Sequence, residues 1–236
     1  MAISRRGFLG LASAAPAALL AGGFRSKSTR GESGQSIPDC LLMGSQTIRS
    51  SSESFAGYRS ALAESGVAFA TSSNTACYLV TTRCIILPEV VFANAGEVEW
   101  LKERLQKGAT VLLEAGSAFL NSTEFDFQKR LLKSGLGLNL HPAVDVWAGN
   151  GSSKESPYVD YEWPAAVKIR DFSRVIPVEG VGAETIAWFR GMPLAIMRRI
   201  GKGTLVFLGS PIGPHLLAGD KEAGRWLSQF CALQLK

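Results

Sequence analysis

Histidine is nearly absent: the 236 residues hold only His141 and His215, and no ligand pair has close spacing. The four cysteines, Cys40, Cys77, Cys84 and Cys231, form no Cys-x-x-Cys. Zinc needs close-spaced sets of such side chains, so no metal and no cofactor is expected. Gly201-Lys202-Gly203 lacks the spacing of a phosphate-cradling loop. No apolar run approaches the 20 or so residues of a good membrane span. Residues 1–30 contain no acid, and their five basic residues account for the whole net charge of +5. The remainder is neutral, which removes the clustered basicity that phosphate binding requires, and nucleic acid with it.

What is present begins at the N-terminus. A charged start with Arg5 and Arg6 precedes an Ala- and Leu-rich stretch and then a polar, basic segment. This is the three-part plan of a secretory leader. Ser4-Arg5-Arg6-Gly7-Phe8-Leu9 resembles the twin-arginine export signal, a receptor-read address built on Arg5, Arg6, Phe8 and Leu9. The resemblance implies the twin-arginine translocase as partner and a periplasmic or extracellular destination. It also implies a chain that has folded before export. Cleavage after Ala17, cleavage after Ala21 and an uncleaved N-terminal membrane anchor all stay open, as does a plain amphipathic N-terminal helix. Residues 1–30 are therefore read as signal peptide and linker, and 31–236 as one domain, at the ordinary scale of about 100–200 residues.

Short apolar runs alternate with amphipathic segments from Pro38 onward. The pattern predicts strands at 40–44, 67–71, 84–88 and 109–114, with helices at 53–65, 95–107 and 122–134. Residues 142–182, rich in Pro, Gly, Ser and aromatics, read as an irregular excursion with short strands. A hairpin follows, 193–199 and 204–209 about Gly201-Lys202-Gly203. A last helix spans 220–233, with Ala223, Trp226, Leu227 and Phe230 inward. Strands alternating with helices imply right-handed crossovers and a parallel sheet covered on both faces. Cys40, Cys84 and Cys231 lie in apolar runs, where cysteine behaves as a small buried hydrophobe. A disulfide, Cys77–Cys84 or Cys40–Cys84, is the alternative that an oxidising compartment permits.

Two segments carry a wider resemblance. One is Cys84-Ile85-Ile86-Leu87-Pro88-Glu89, with the helix end Gln106-Lys107-Gly108 and the strand Ala109-Thr110-Val111-Leu112-Leu113. The other is Ile200-Gly201-Lys202-Gly203-Thr204-Leu205-Val206-Phe207-Leu208-Gly209-Ser210. Together they resemble the class I glutamine amidotransferase-like superfamily and the domain that mediates trimerisation in bacterial β-galactosidases. The implied fold is α/β: a flavodoxin-like three-layer sandwich, mostly parallel, with a C-terminal antiparallel hairpin. The enzymes of that superfamily use a Cys on a strand-to-helix elbow, activated by a His and an acid. The matching elbow here reads Leu113-Glu114-Ala115-Gly116-Ser117-Ala118 and has no Cys. No His ends the matching later strand, Val206 to Ser210. The resemblance implies a scaffold without its catalytic apparatus.

Three functional expectations follow. The first is an exported, non-catalytic binding or assembly domain for a partner protein, a homo-oligomer or a carbohydrate. Its pocket candidates are Glu89, Gly116 and Ser117, at the strand ends where parallel sheets bind ligands. The second is a periplasmic serine hydrolase using Ser117, His215 and Asp220, although Ala115 and Phe119 stand where Gly-x-Ser-x-Gly needs glycines. The third is an accessory subunit of an exported cofactor-containing complex. Trp147, Tyr158, Tyr161 and Trp163 suit either sugar stacking or the excursion's own core.

Overall fold

A computed structural model describes residues 38–44, 52–72, 82–92, 94–116, 119, 122–147, 157–171 and 174–235. The leader, Cys77 and Ser117 lie outside these residues.

Four-residue strand β1 (Cys40–Met43) leads to helix α1 (Glu53–Glu64), and β2 (Phe69–Ser72) follows. Strand β3 (Cys84–Val90), helix α2 (Ala95–Gln106), strand β4 (Thr110–Ala115) and helix α3 (Ser122–Leu136) continue the alternation. Side-chain caps start the helices where propensity alone would not. Ser52 accepts from the Phe55 N–H before α1, and Asn94 from the Glu97 N–H before α2. Gly66 and Gly108, both at positive φ, turn the chain just beyond α1 and α2.

Strand β5 (Leu138–Leu140) precedes the excursion, which forms β6 (Val144–Asp145), β7 (Tyr158–Tyr161), β8 (Val167–Arg170), β9 (Arg174–Val175) and β10 (Val178–Gly180). Long strands then return as β11 (Ala183–Phe189), β12 (Met192–Ile200) and β13 (Gly203–Leu208). Two-residue turns join the last three, at Arg190-Gly191 and Gly201-Lys202. Arg190 and Gly191 both have positive φ, as the primed turn that matches strand twist demands. Helices α4 (Gly213–Leu217) and α5 (Lys221–Gln234) close the chain, α5 capped by Asp220.

Nine strands form one sheet in the order β2-β1-β3-β4-β13-β12-β11-β7-β8. It is parallel from β2 through β13 and antiparallel from β13 outward. The antiparallel part therefore reaches beyond the expected hairpin: β11 and the β7–β8 pair extend it. Short β10–β5 and β6–β9 pairs stand outside the main sheet.

Period-2 alternation assigns the core to two faces. Cys40, Leu42, Ile86, Leu112 and Val206 pack with Tyr58 and Leu62 of α1 and Trp226 and Phe230 of α5. Leu41, Ile85, Val111, Leu113 and Phe207 pack with Val98 and Leu101 of α2 and Leu132 of α3. Helices thus cover both sides of the sheet, as unalternating apolar strands require. Of Trp147, Tyr158, Tyr161 and Trp163 in the excursion, Tyr161 is buried and Trp163 packs against that first core. Trp226 donates its indole N–H to the Trp163 carbonyl at 3.0 Å. Trp147 and Tyr158 are exposed. The excursion's own core thus takes Tyr161 and Trp163.

Candidate functional site at the carboxyl edge of the sheet

The carboxyl ends of β3, β4 and β13 meet the start of α1 and the short helix α4. This edge gathers the candidate polar groups, and β4 supplies the central one. Glu114 has the same parity as Leu112, so its side chain enters the core on the α1 side, where it is fully buried. Its Oε1 accepts from the Ser54 hydroxyl at 2.5 Å. Its Oε2 accepts from the Tyr58 hydroxyl at 2.8 Å and from the Ile212 and Gly213 N–H groups at 3.1 and 3.2 Å. Burial pushes the carboxyl up to about 7, against the opposite pull of these four hydrogen bonds. Burial and the facing carboxylate in turn keep the Tyr58 phenol protonated far above its ordinary range. The network joins one strand to two helices and leaves Glu114 little capacity for a ligand.

Close approach of α1 and α4 makes this possible. A Cβ on Gly57 would fall on the Gly213 carbonyl oxygen, and one on Gly213 would strike Ser54. Sequence reading passed over both α4 and the clamp on Glu114. A carboxylate at the end of the otherwise apolar run Val111-Leu112-Leu113 was the available signal, but its partners are distant in sequence.

One strand over, Glu89 and Gly116 lie side by side. A Cβ on Gly116 would stand 2.5 Å from that of Glu89. Strand β3 carries one extra residue against β4 between the Leu87 and Val90 pairings. Pro88 falls in this bulge, where its missing N–H breaks no ladder, and Glu89 takes a left-handed φ of 49°. Glu89 is half-buried. Burial raises its carboxyl, the Ser52 hydroxyl bonded to it lowers it, and nearby Glu53 raises it.

His215 lies on α4, half-buried, and Asp220 follows it. Burial depresses the imidazole, while Asp171 and Asp220 pull it upward. The Asp220 carboxylate also accepts from the Glu222 and Ala223 N–H groups as the cap of α5. Asp171, missed from the sequence, is buried and accepts from the Ser210 hydroxyl at 2.6 Å. The third hydrolase candidate, Ser117, lies outside the described residues, so the structure joins only two of the three. Elsewhere, a shallow depression of about 290 Å³ lies between the β7–β8 pair and Glu222 of α5. Among the described residues, no group of three His, Cys, Asp or Glu side chains is placed to hold a metal ion.

No family model matches the sequence, and no curated protein does. Solved structures do match, at the level of the fold. A β-galactosidase from Rahnella sp. R3 aligns over 85% of this chain with a TM-score of 0.64 and 14% identity. An exo-β-1,4-mannosidase from Opitutaceae bacterium strain TAV5 aligns over 85% with a TM-score of 0.60 and 13% identity. The chain spans only 32% and 36% of those two proteins. It also matches a cytoplasmic protein from Salmonella typhimurium LT2, with a TM-score of 0.62 and 11% identity. That alignment covers 84% of this chain and 99% of the other. The fold therefore occurs both as one part of glycoside-cleaving chains and as nearly all of a small protein.

Proposed function

We propose that this chain is a non-catalytic, flavodoxin-like binding or assembly domain that acts on a partner protein or a carbohydrate. One observation carries the reading. The elbow Leu113–Ala118 has no cysteine, and the carboxylate leading into it, Glu114, is sealed in the core and held by four hydrogen bonds, so it serves the scaffold and not a ligand. The similarity to about a third of a β-galactosidase and of a mannosidase supports an assembly role beside carbohydrate chemistry, like that of the β-galactosidase trimerisation domain. The twin-arginine leader would deliver the folded domain to the periplasm, alone or with a cofactor-bearing partner to which it is an accessory subunit.

The test is purification of the exported protein under mild conditions, with its mass in solution measured and ester and glycoside turnover assayed. A stable homo-oligomer, a stoichiometric partner or saturable oligosaccharide binding, without turnover, is the expected result. A monomer that binds neither and hydrolyses a generic ester, with activity lost in Ser117→Ala and His215→Ala, would install the serine hydrolase instead.

A further inference from the structure

Three cysteines meet in the core, although the chain brings them from opposite ends. Cys40 of β1 and Cys84 of β3 are paired residues on adjacent parallel strands. Their side chains point to the same face, and their thiols hydrogen-bond to each other. Cys231 of α5 packs in the same cluster. All three are buried, and all three are free thiols. The alternative disulfide Cys40–Cys84 is therefore not formed, and Cys77 lies outside the described residues.

Geometry alone does not keep Cys40 and Cys84 apart. Paired residues on neighbouring strands lie about 5 Å apart, inside the roughly 4.4–6.8 Å that a disulfide spans. Access and ionisation protect them instead. Exchange needs a thiolate, and burial pushes the Cys231 thiol up to about 12, leaving about one part in 100,000 ionised at neutral pH. The Cys40 hydrogen bond and then burial raise Cys84 well above its ordinary value. Cys40 and Cys84 are fully buried and Cys231 nearly so, which shields the sulfurs while α5 is in place.

Helix α5 follows both strands in the chain and is made after them. A chain threaded unfolded into an oxidising compartment, N-terminus first, would present Cys40 and Cys84 before α5 had arrived. There a disulfide-form oxidant such as oxidised glutathione would take two protein thiols to one disulfide and be reduced to two thiols. We infer that Cys40, Cys84 and Cys231 are a sealed reduced cluster that obliges this chain to fold, with α5 in place, before it meets an oxidant. This rests on the twin-arginine reading of the leader for its setting. The need to fold before oxidation follows from the core alone, independently of Arg5 and Arg6.

The experiment uses the full chain with Cys77→Ser, so that labelling reports the cluster alone. Exported protein is treated with a maleimide before and after denaturation, without reductant. The expected result is no labelling when native and three labels when denatured. The leader is then exchanged for one that threads the chain unfolded. This form should carry disulfides and lose folded yield, and a host lacking the periplasmic disulfide oxidase should restore both thiols and fold. A disulfide within the cluster of the natively exported protein would overturn the inference. So would a rerouted chain that is equally reduced and folded in the oxidising host. Export with Arg5→Lys and Arg6→Lys is scored separately by location. Persistent export there defeats the leader reading, while the rerouted comparison still decides the cluster.

Discussion

The Tyr58 hydroxyl donates to the Glu114 carboxylate at 2.8 Å, tying the middle of α1 to the end of β4 inside the core. The same oxygen takes the Ile212 and Gly213 N–H groups, so a single side chain fixes α1 and α4 against the sheet. Removing it would strand two hydroxyls and two backbone donors. Glu114→Ala is expected to cost about 3–5 kcal/mol, the scale for breaking a buried charged network. Glu114→Gln keeps the shape and an acceptor and should cost only about 1 kcal/mol. Urea unfolding of both variants checks the order, and equal losses would show that the bonds do not hold the edge together.

The same carboxylate makes stability depend on pH. Its folded value of about 7 lies above the ordinary 4.5. Its contribution is therefore complete below about pH 4.5 and is lost as pH rises through 7, by roughly 3 kcal/mol. His215 acts in the opposite sense: its depressed value favours the fold above the ordinary 6.5, and that contribution is lost as pH falls. Glu89 shares the sign of Glu114 but is half-exposed, and solvent weakens its effect. Unfolding at pH 5 and pH 8 isolates Glu114 when wild type is compared with Glu114→Gln, because the other groups cancel. Wild type should lose roughly 3 kcal/mol more than the variant across this range. Parallel slopes would assign the pH dependence elsewhere.

Gly57 faces the backbone of Gly213 so closely that a methyl group has no room. Gly57→Ala should force α1 and α4 apart, lengthen the Glu114 contacts and destabilise by about 1–3 kcal/mol. In a fixed helix interior away from such a contact, the same change would stabilise by up to about 1 kcal/mol. The sign of the shift in the unfolding midpoint is thus the readout, and a rise would disprove the close crossing.

Glu89 occupies a left-handed φ of 49° that favours glycine. Glu89→Gly should relieve strain and raise stability by about 1 kcal/mol. If Glu89 serves the ligand edge of the proposed binding domain, oligosaccharide or partner affinity should fall in the same variant. Gain of stability with unchanged binding would remove Glu89 from the site.

Much of the architecture was legible locally because burial imposes its period on the chain. Apolar 84–88 and 109–114 became β3 and β4, and Ala223, Trp226, Leu227 and Phe230 fell on the buried side of α5. The turn at Gly201-Lys202 was legible because it needs unusual backbone angles. Strand β11, helix α4 and the joining of β7–β8 to the main sheet were not. Their stability comes from neighbours far along the chain, and α4 has only five residues in which to show a pattern. The site divides in the same way. By itself the sequence determined the two-faced pattern of the sheet and the lack of a cysteine at the elbow, since both are matters of residue type and spacing. Only the tertiary structure decided that Glu114 is sealed by Ser54, Tyr58 and α4, and that Cys40, Cys84 and Cys231 meet. Those contacts form where the chain returns to itself, and no local period records them.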